Sequence, residues 1–314
     1  MIFLDPNSLK VKKAKKAFNK QALEYLSGPI SDIVTGSDVQ LKKLFGIYIL
    51  FNLNSLIIGD PNELDRLEKL ISPVFIANPK FKEKLKEVFI TKGYKKFSKK
   101  NTNKKKIKYD AYSLSKDLDM DTCTYCNRNY TNTIISRGGK KLSRPQFDHF
   151  IDKKSNPQFG LSFFNLIPSC SLCNTNIKTT KEFNLTSHNH PYLDNKIDKY
   201  LFNYKYCSQS KNGLRVKVTS INDKRVKRTI EDFALEEVYN GNSDLLYDLL
   251  KIRSSFSDRY LSNIETSLLK DITVSRDELY RLVFGTEMEE ANFHKRPFSK
   301  FKSDILKELG IIKI

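Results

Sequence analysis

The sequence predicts an α+β protein in which a small metal-bearing module lies between two mostly helical segments. Three observations carry that expectation. Apolar residues recur at helical spacing through 1–95 and again from 223 onward. All the Cys-x-x-Cys chemistry falls within 121–195, where the helical stripes thin out. The pair Asn212-Gly213 stands between two β-rich runs, which is a hairpin signal.

The elements follow in order. Asn7 or Ser8 can cap a helix through "LKVKKAKKAFNKQALEYL", and Ser37 or Asp38 can start another reaching Phe51. In "DPNELDRLEKLI", Asp60 caps, Pro61 takes the first turn, and Leu64, Leu67, Leu70 and Ile71 share a face. A further helix is expected over 79–92. The stretch 91–109 holds nine lysines and no acid. It reads as a solvated linker, or as an arm along phosphates with Tyr94, Phe97 and Tyr109 available to stack; the two readings are compatible. Beyond the module, "YLFNYKYC" and "LRVKVTSI" form the expected hairpin, and helices are expected over 223–240, 243–272 with breaks, 276–284 and 299–309. The resulting division is 1–95 helical, 96–120 linker or arm, 121–195 module, and 196–314 hairpin plus helices.

The 314 residues, 39% hydrophobic with 21 Phe and 15 Tyr, are ample for a folded core. The formal net charge of +19 favours polyanionic partners, because Lys and Arg displace counterions condensed on phosphates. A Lys-rich proteome would produce the same balance. The most apolar run, "LFGIYILFNLNSLIIG" (44–59), is broken by Asn52, Asn54 and Ser55 and falls short of the about 18 residues of a spanning helix. "MIFLDPNSLKVKKAKK" lacks the basic-then-apolar order of a secretory signal. A cytoplasmic chain without a membrane partner is expected. There thiols stay reduced, and paired cysteines point to a metal before a disulfide.

Cys123 and Cys126 form one pair and Cys170 and Cys173 another. The two-residue gap lets both sulfurs of a pair reach one tetrahedral ion, so two such knuckles predict a Zn²⁺ site. Four thiolates close the coordination shell and leave no position for a substrate, which makes this zinc structural. Cys207 stands apart. Between the knuckles, "RPQFDHFI" reads as a strand, an irregular loop follows through Gly160, "SFFNLIPSC" returns the chain, and a helix starts near Ser171 and runs toward Lys181.

Over about 121–180 this arrangement resembles the HNH, or ββα-metal, endonucleases, and more closely the subgroup whose core is braced by a four-cysteine zinc site. The resemblance rests on Cys123, Cys126, Asp148, His149, Asn165, Cys170, Cys173 and Asn174. The family pattern is Asp-His on the first strand, Asn before the helix, and His or Asn on the helix. Here the last position is Asn174.

The resemblance implies a zinc-braced ββα fold and a phosphodiester hydrolase acting on DNA, with RNA not excluded. In that reading His149 is the general base, since a neutral imidazole is available near pH 7. Asp148 and Asn174 would hold a catalytic Mg²⁺ or Mn²⁺, which suits oxygen ligands. Asn165 would bond the loop backbone and steady the imidazole. Neighbours on an ideal strand point to opposite faces, so Asp148 and His149 can flank one site only if the backbone twists there. His190 is a further candidate ligand, and Lys178, Lys181, Arg128 and Arg144 are candidate phosphate contacts. Family habit implies a place in bacterial anti-phage or mobile-element systems, some with a partner ATPase, and the helical flanks could instead serve a homodimer. The alternative is a zinc-braced nucleic-acid-binding protein without catalysis. It predicts that the cysteines matter and the Asp-His pair does not.

Overall fold

Ser8 caps the first helix, its Oγ accepting from the Val11 amide at 3.4 Å, and the helix Leu9–Thr35 buries Val11, Ala14, Phe18, Ala22, Leu26 and Ile30 along one stripe. The structure, a computed structural model, describes residues 1–99, 108–179, 181–210, 212–255 and 275–311. The chain divides into two compact units. One joins Phe3–Met120 to Thr131–Asn195; the other joins Met1–Ile2, Asp121–Tyr130 and Lys196–Ile314.

In the first unit, Asp38 caps Val39–Leu44, and helical backbone continues over Phe45–Leu50. Asp60 and Glu63 form a reciprocal capping box on Pro61–Ile71. That helix buries Pro61, Leu64, Leu67 and Ile71, but Leu70 is 46% exposed. Leu70 thus departs from the expected stripe. Pro79–Leu85, Lys86–Tyr94 and Lys95–Ser98 follow one another as helix, so the start of the lysine-rich stretch is structured. One helical turn separates Gly93 from Phe97, and both are buried. A Cβ on Gly93 would lie 3.2 Å from Leu161 and 3.3 Å from Leu26. Phe97 packs edge-on against Phe18 at 5.1 Å. The Phe97 ring is therefore not available to stack on bases, contrary to the expectation, while Tyr94 is half-buried. Residues 100–107 of the arm lie outside the described residues. Tyr109 donates to Asp117 at 3.0 Å, and Asp110 caps Ala111–Leu118.

Two short antiparallel pairs follow in the same unit. β1 (Ile134–Ile135) pairs with β2 (Lys141–Ser143), and β3 (Gln146–His149) with β4 (Leu166–Ser169). The register of the second pair runs from Gln146↔Ser169 to His149↔Leu166. β4 leads directly into the helix Leu172–Lys178. Two strands and a helix therefore follow one another at the expected place, and the helix ends at Lys178, short of Lys181.

In the other unit, β5 (Tyr200–Tyr206) pairs with β6 (Leu214–Ser220). The Cys207 amide donates to the Gly213 carbonyl at 2.8 Å, so the strands are joined by a longer loop that ends at Gly213, φ +68, rather than by a two-residue Asn212-Gly213 turn. Helices Lys224–Asp232, Leu235–Asn240, Ser243–Ser255, Arg276–Phe284 and Ser299–Glu308 follow. The helix expected over 223–240 breaks at Ala234, which has φ 47. The break turns both Phe233 and Leu235 inward, where they are 0% and 2% exposed, and no Gly or Pro marks it in the sequence. The later part of the expected 243–272 helix falls on residues outside those described. Phe202, Tyr239 and Phe301 form an aromatic core, and Tyr125 stacks on Phe233 at 4.2 Å. Among the described residues no helix is long and apolar enough to cross a membrane.

Candidate functional site

The cysteines meet as the spacing predicts. The four Sγ atoms of Cys123, Cys126, Cys170 and Cys173 lie within 4.8 Å of one another, and all four residues are buried. A tetrahedral ion with Zn–S bonds of about 2.3 Å would bring sulfurs about 3.8 Å apart, so the spread suits the ion. Each knuckle directs backbone toward sulfur. The Arg128 amide donates to Cys126 Sγ at 3.4 Å and the Cys173 amide to Cys170 Sγ at 3.5 Å. Asn127, at φ 50, tightens the first turn, and its amide nitrogen donates to Thr122 Oγ1 and the Phe293 carbonyl. The donor set fits Zn²⁺, with no ligand position left for a reacting molecule.

Asp148 and His149 close β3. Both are 5% exposed, yet both border an open cleft of about 330 Å³ together with Tyr94, Lys153, Asn174 and Lys178. The strand ends at His149, and the turn beyond it lets adjacent residues reach one cavity. Five cations, Arg144, Lys153, Lys154, Lys178 and Lys181, line this cleft against two anions, Asp148 and Asp152.

The imidazole is fixed at both nitrogens. Nε2 lies 3.0 Å from the Gly160 carbonyl, which can only accept, so Nε2 carries the proton. Nδ1 is then the acceptor, and the Lys153 ammonium stands 3.3 Å from it. Tyr94 packs edge-on against the ring at 4.5 Å. Burial, and next the Lys153 charge, hold the imidazole well below its ordinary proton affinity, against the opposing pull of the Gly160 carbonyl. The ring is therefore neutral at pH 7. Gly160 is required where it stands: a Cβ there would meet Ile90 Cγ1 at 2.8 Å and the Pro157 oxygen at 3.1 Å.

Asn165, fully buried, ties together the backbone around the imidazole. Its Oδ1 accepts from the Ile151 amide at 2.7 Å, and its Nδ2 donates to the Ile151 and Phe159 carbonyls at 3.1 Å each. One side chain thus joins the turn after His149 to the segment that presents the Gly160 carbonyl.

Lys178 is placed otherwise than expected. It is 3% exposed, and its ammonium lies 3.0 and 2.9 Å from the two Asp148 oxygens, 2.5 Å from the His149 carbonyl and 3.2 Å from that of Phe150. It is an internal counter-ion, not a surface contact for phosphate, because the end of the Leu172–Lys178 helix aims it at the β3 terminus. Asn174 lines the cleft, but its amide nitrogen donates to Gln146 Oε1 at 2.8 Å. With the ammonium on both Asp148 oxygens, this arrangement does not fit a divalent ion held by Asp148 and Asn174.

Arg144 and Lys181 line the cleft. Arg128 does not; its Nε donates to Asn242 at 2.6 Å. His190 does not line the cleft. It is 3% exposed, Nδ1 accepts from the Tyr192 amide at 3.2 Å, its ring packs on Phe150 at 4.3 Å, and burial pushes it down to about 3 despite a Phe164 backbone hydrogen bond. Lys153 and Gly160 were not anticipated. Lys153 follows His149 by four residues, but no helix there would have signalled the contact.

No protein-family model, no curated protein and no solved structure matches the chain.

Proposed function

We propose that the chain is an endonuclease of the HNH type, hydrolysing phosphodiester bonds of DNA in the cleft at the end of β3. The observation that carries this reading is His149. It is neutral, its tautomer is set by Gly160, and it borders a cleft lined by lysine and arginine, with the Lys153 ammonium 3.3 Å from Nδ1. In the proposed step, Lys153 moves from Nδ1 onto the phosphate, and Nδ1 takes a proton from water as the water oxygen attacks phosphorus. The 3′-oxygen leaves, and the product carries a 5′-phosphate. The Gly160 carbonyl stabilises the imidazolium that forms, and Asn165 keeps that carbonyl in place. Arg144, Lys153, Lys154 and Lys181 offset phosphate charge as it builds toward the transition state. The cysteine site props the strand pair and takes no part in proton transfer. A catalytic Mg²⁺ or Mn²⁺, which the resemblance implies, would require Lys178 to leave Asp148.

A binding protein without catalysis is the second reading. It is favoured by one specific feature: a lysine already stands against each candidate catalytic group, Lys178 on Asp148 and Lys153 on His149. Nicking of supercoiled plasmid, with Mg²⁺ or Mn²⁺ supplied, separates the two. His149→Ala should lower the nicking rate about 10²- to 10⁴-fold with plasmid binding retained. Equal cutting by both proteins removes His149 from the mechanism, and no cutting by wild type under any condition favours the binding protein.

A further inference from the structure

We infer that the β1–β2 ribbon, with Arg137 and Lys140 at its tip and Ile134, Ile135 and Leu142 along it, enters the major groove of a B-form DNA duplex beside the cleft. The inference rests on the cleft being a site of DNA hydrolysis, and it names duplex DNA, rather than single strands or RNA helices, as what the protein takes. No residue that carries the family resemblance lies within 131–147.

The ribbon is short and bare. β1 pairs two residues with the three of β2, and Ile134, Ile135 and Leu142 are 49%, 40% and 50% exposed. A two-stranded hairpin by itself is marginal in water, so its root has to be held. The Lys141 ammonium meets the buried Asp110 carboxylate, and Thr131 Oγ1 donates to the Met120 carbonyl at 3.4 Å. The tip is closed by the Ser136 amide donating to the Lys140 carbonyl at 2.9 Å, with Gly139 at φ 80. A Cβ on Gly139 would meet nothing within 4 Å, so the tip stands in open space. The root is fixed, and the apolar and charged end is presented to solvent.

Charge selects the occupant. Residues 131–147 hold Arg137, Lys140, Lys141 and Arg144 and no acid. Arg137 and Lys140 are exposed and enter no ion pair among the described residues, whereas Lys141 is neutralised by Asp110. Arg144 carries the positive charge from the ribbon to the cleft it lines, its guanidinium lying over the Tyr112 and Phe147 rings at 5.6 and 5.7 Å. A surface with cations alone gains by releasing counterions from a polyphosphate. The major groove of B-form DNA, about 12 Å wide, admits a two-stranded ribbon, and thymine methyls there meet apolar side chains. The minor groove, about 6 Å wide, does not admit it, and the major groove of an RNA helix is closed to side chains. Arg137 precedes Arg144 by seven residues. At about 3.3 Å per residue, the tip stands within about 23 Å of Arg144, so ribbon and cleft can engage one duplex.

The test is binding by the full-length, zinc-loaded protein, read by fluorescence anisotropy without added Mg²⁺ or Mn²⁺ so that cutting plays no part. The probes are a short DNA duplex, one of its strands alone, and an RNA duplex. Wild type should bind the DNA duplex at least about 10-fold more tightly than either other probe. Arg137→Gln/Lys140→Gln should weaken duplex binding about 10- to 100-fold and lower the slope of log affinity against log salt by about 2. Ile135→Ser/Leu142→Ser should weaken it with the salt slope unchanged. Wild type should protect guanine N7, which faces the major groove, from dimethyl sulfate, and both variants should lose that protection. Where a variant does not fold, as read by circular dichroism, the wild-type protection decides. Equal affinity of wild type for duplex and single strand, undiminished duplex binding by folded Arg137→Gln/Lys140→Gln, or unprotected N7 in the wild-type complex overturns the proposal and leaves the ribbon to a protein partner. Plasmid nicking that survives any of those results leaves the nuclease reading intact. Major-groove binding through the ribbon by a protein that never nicks removes only the nuclease reading.

Discussion

β5 and β6 pair seven residues each in unbroken register, from Tyr200↔Ser220 to Tyr206↔Leu214, and set Tyr200 and Phe202 inward with Leu201 between them facing out. β3 and β4 pair only four, and seven of those eight residues are buried. The long pair keeps its charges at the surface, where Lys217 meets Glu236 at 2.6 Å. The short pair brings a carboxylate and an imidazole inside and satisfies each with a specific partner. A buried polar group costs far more than an exposed one if its partner is lost. The short pair is as regular as the long one, but it is buried on both faces and holds a few polar atoms at fixed positions through specific partners.

Substitutions can break that comparison, and the largest effect is expected at the cysteine cluster. Cys123→Ser removes one of four thiolates. Structural zinc contributes about 10 kcal/mol or more to folding in small domains, so bound zinc and cooperative unfolding should be lost together. Metal analysis and circular dichroism check this; a zinc-free variant that still melts cooperatively would show that packing alone holds the knuckles.

Next comes the buried ion pair. Asp148→Ala strands the Lys178 ammonium and should cost about 3–5 kcal/mol by urea unfolding, most of it recovered in Asp148→Ala/Lys178→Met. A cost below 1 kcal/mol, as for an exposed pair, would mean that water reaches Lys178.

Acid sharpens the same contrast. Burial lowers the proton affinity of His149 and His190 in the folded chain, His190 to about 3. Below the ordinary histidine value of about 6.5, the unfolded chain therefore binds those protons more readily. The stability contributed by the neutral rings is complete above that pH. It is lost as pH falls toward the folded values, on the order of 1.4 kcal/mol per pH unit per ring. His190→Asn, which keeps an acceptor for the Tyr192 amide, should flatten the dependence of melting temperature on pH. An unchanged slope would remove His190 as a source of acid sensitivity.

The smallest effect belongs to the long pair. Lys217→Ala removes an ion pair whose side chains are 36% and 21% exposed, and should shift stability by about 0.5 kcal/mol. A loss comparable to that at Asp148 would erase the distinction between the two strand pairs.

Local chemistry made part of this readable from residues alone. The caps at Ser8, Asp38 and Asp60 satisfy orphan amides within one turn, Gly213 supplies the positive φ that ends the β5–β6 loop, and each Cys-x-x-Cys carries its chelating geometry in four residues. The adjacency of Asp148 and His149, with Asn165 before a helix, was equally visible. Tertiary structure decided what those side chains touch. Lys178 lies 30 residues from Asp148 and Gly160 lies 11 from His149. A lysine in a basic chain carries no mark of being buried, and a loop glycine none of presenting a carbonyl to an imidazole. Phe97 reads as a free aromatic in a lysine run and becomes core when the helix is carried through it, while Tyr94 packs on the imidazole at the edge of the cleft. Capping, turns and chelation act over a few bonds and are written locally. Ion pairing, tautomer choice and burial depend on which distant atoms the packing brings within about 3 Å, and packing is a property of the whole chain.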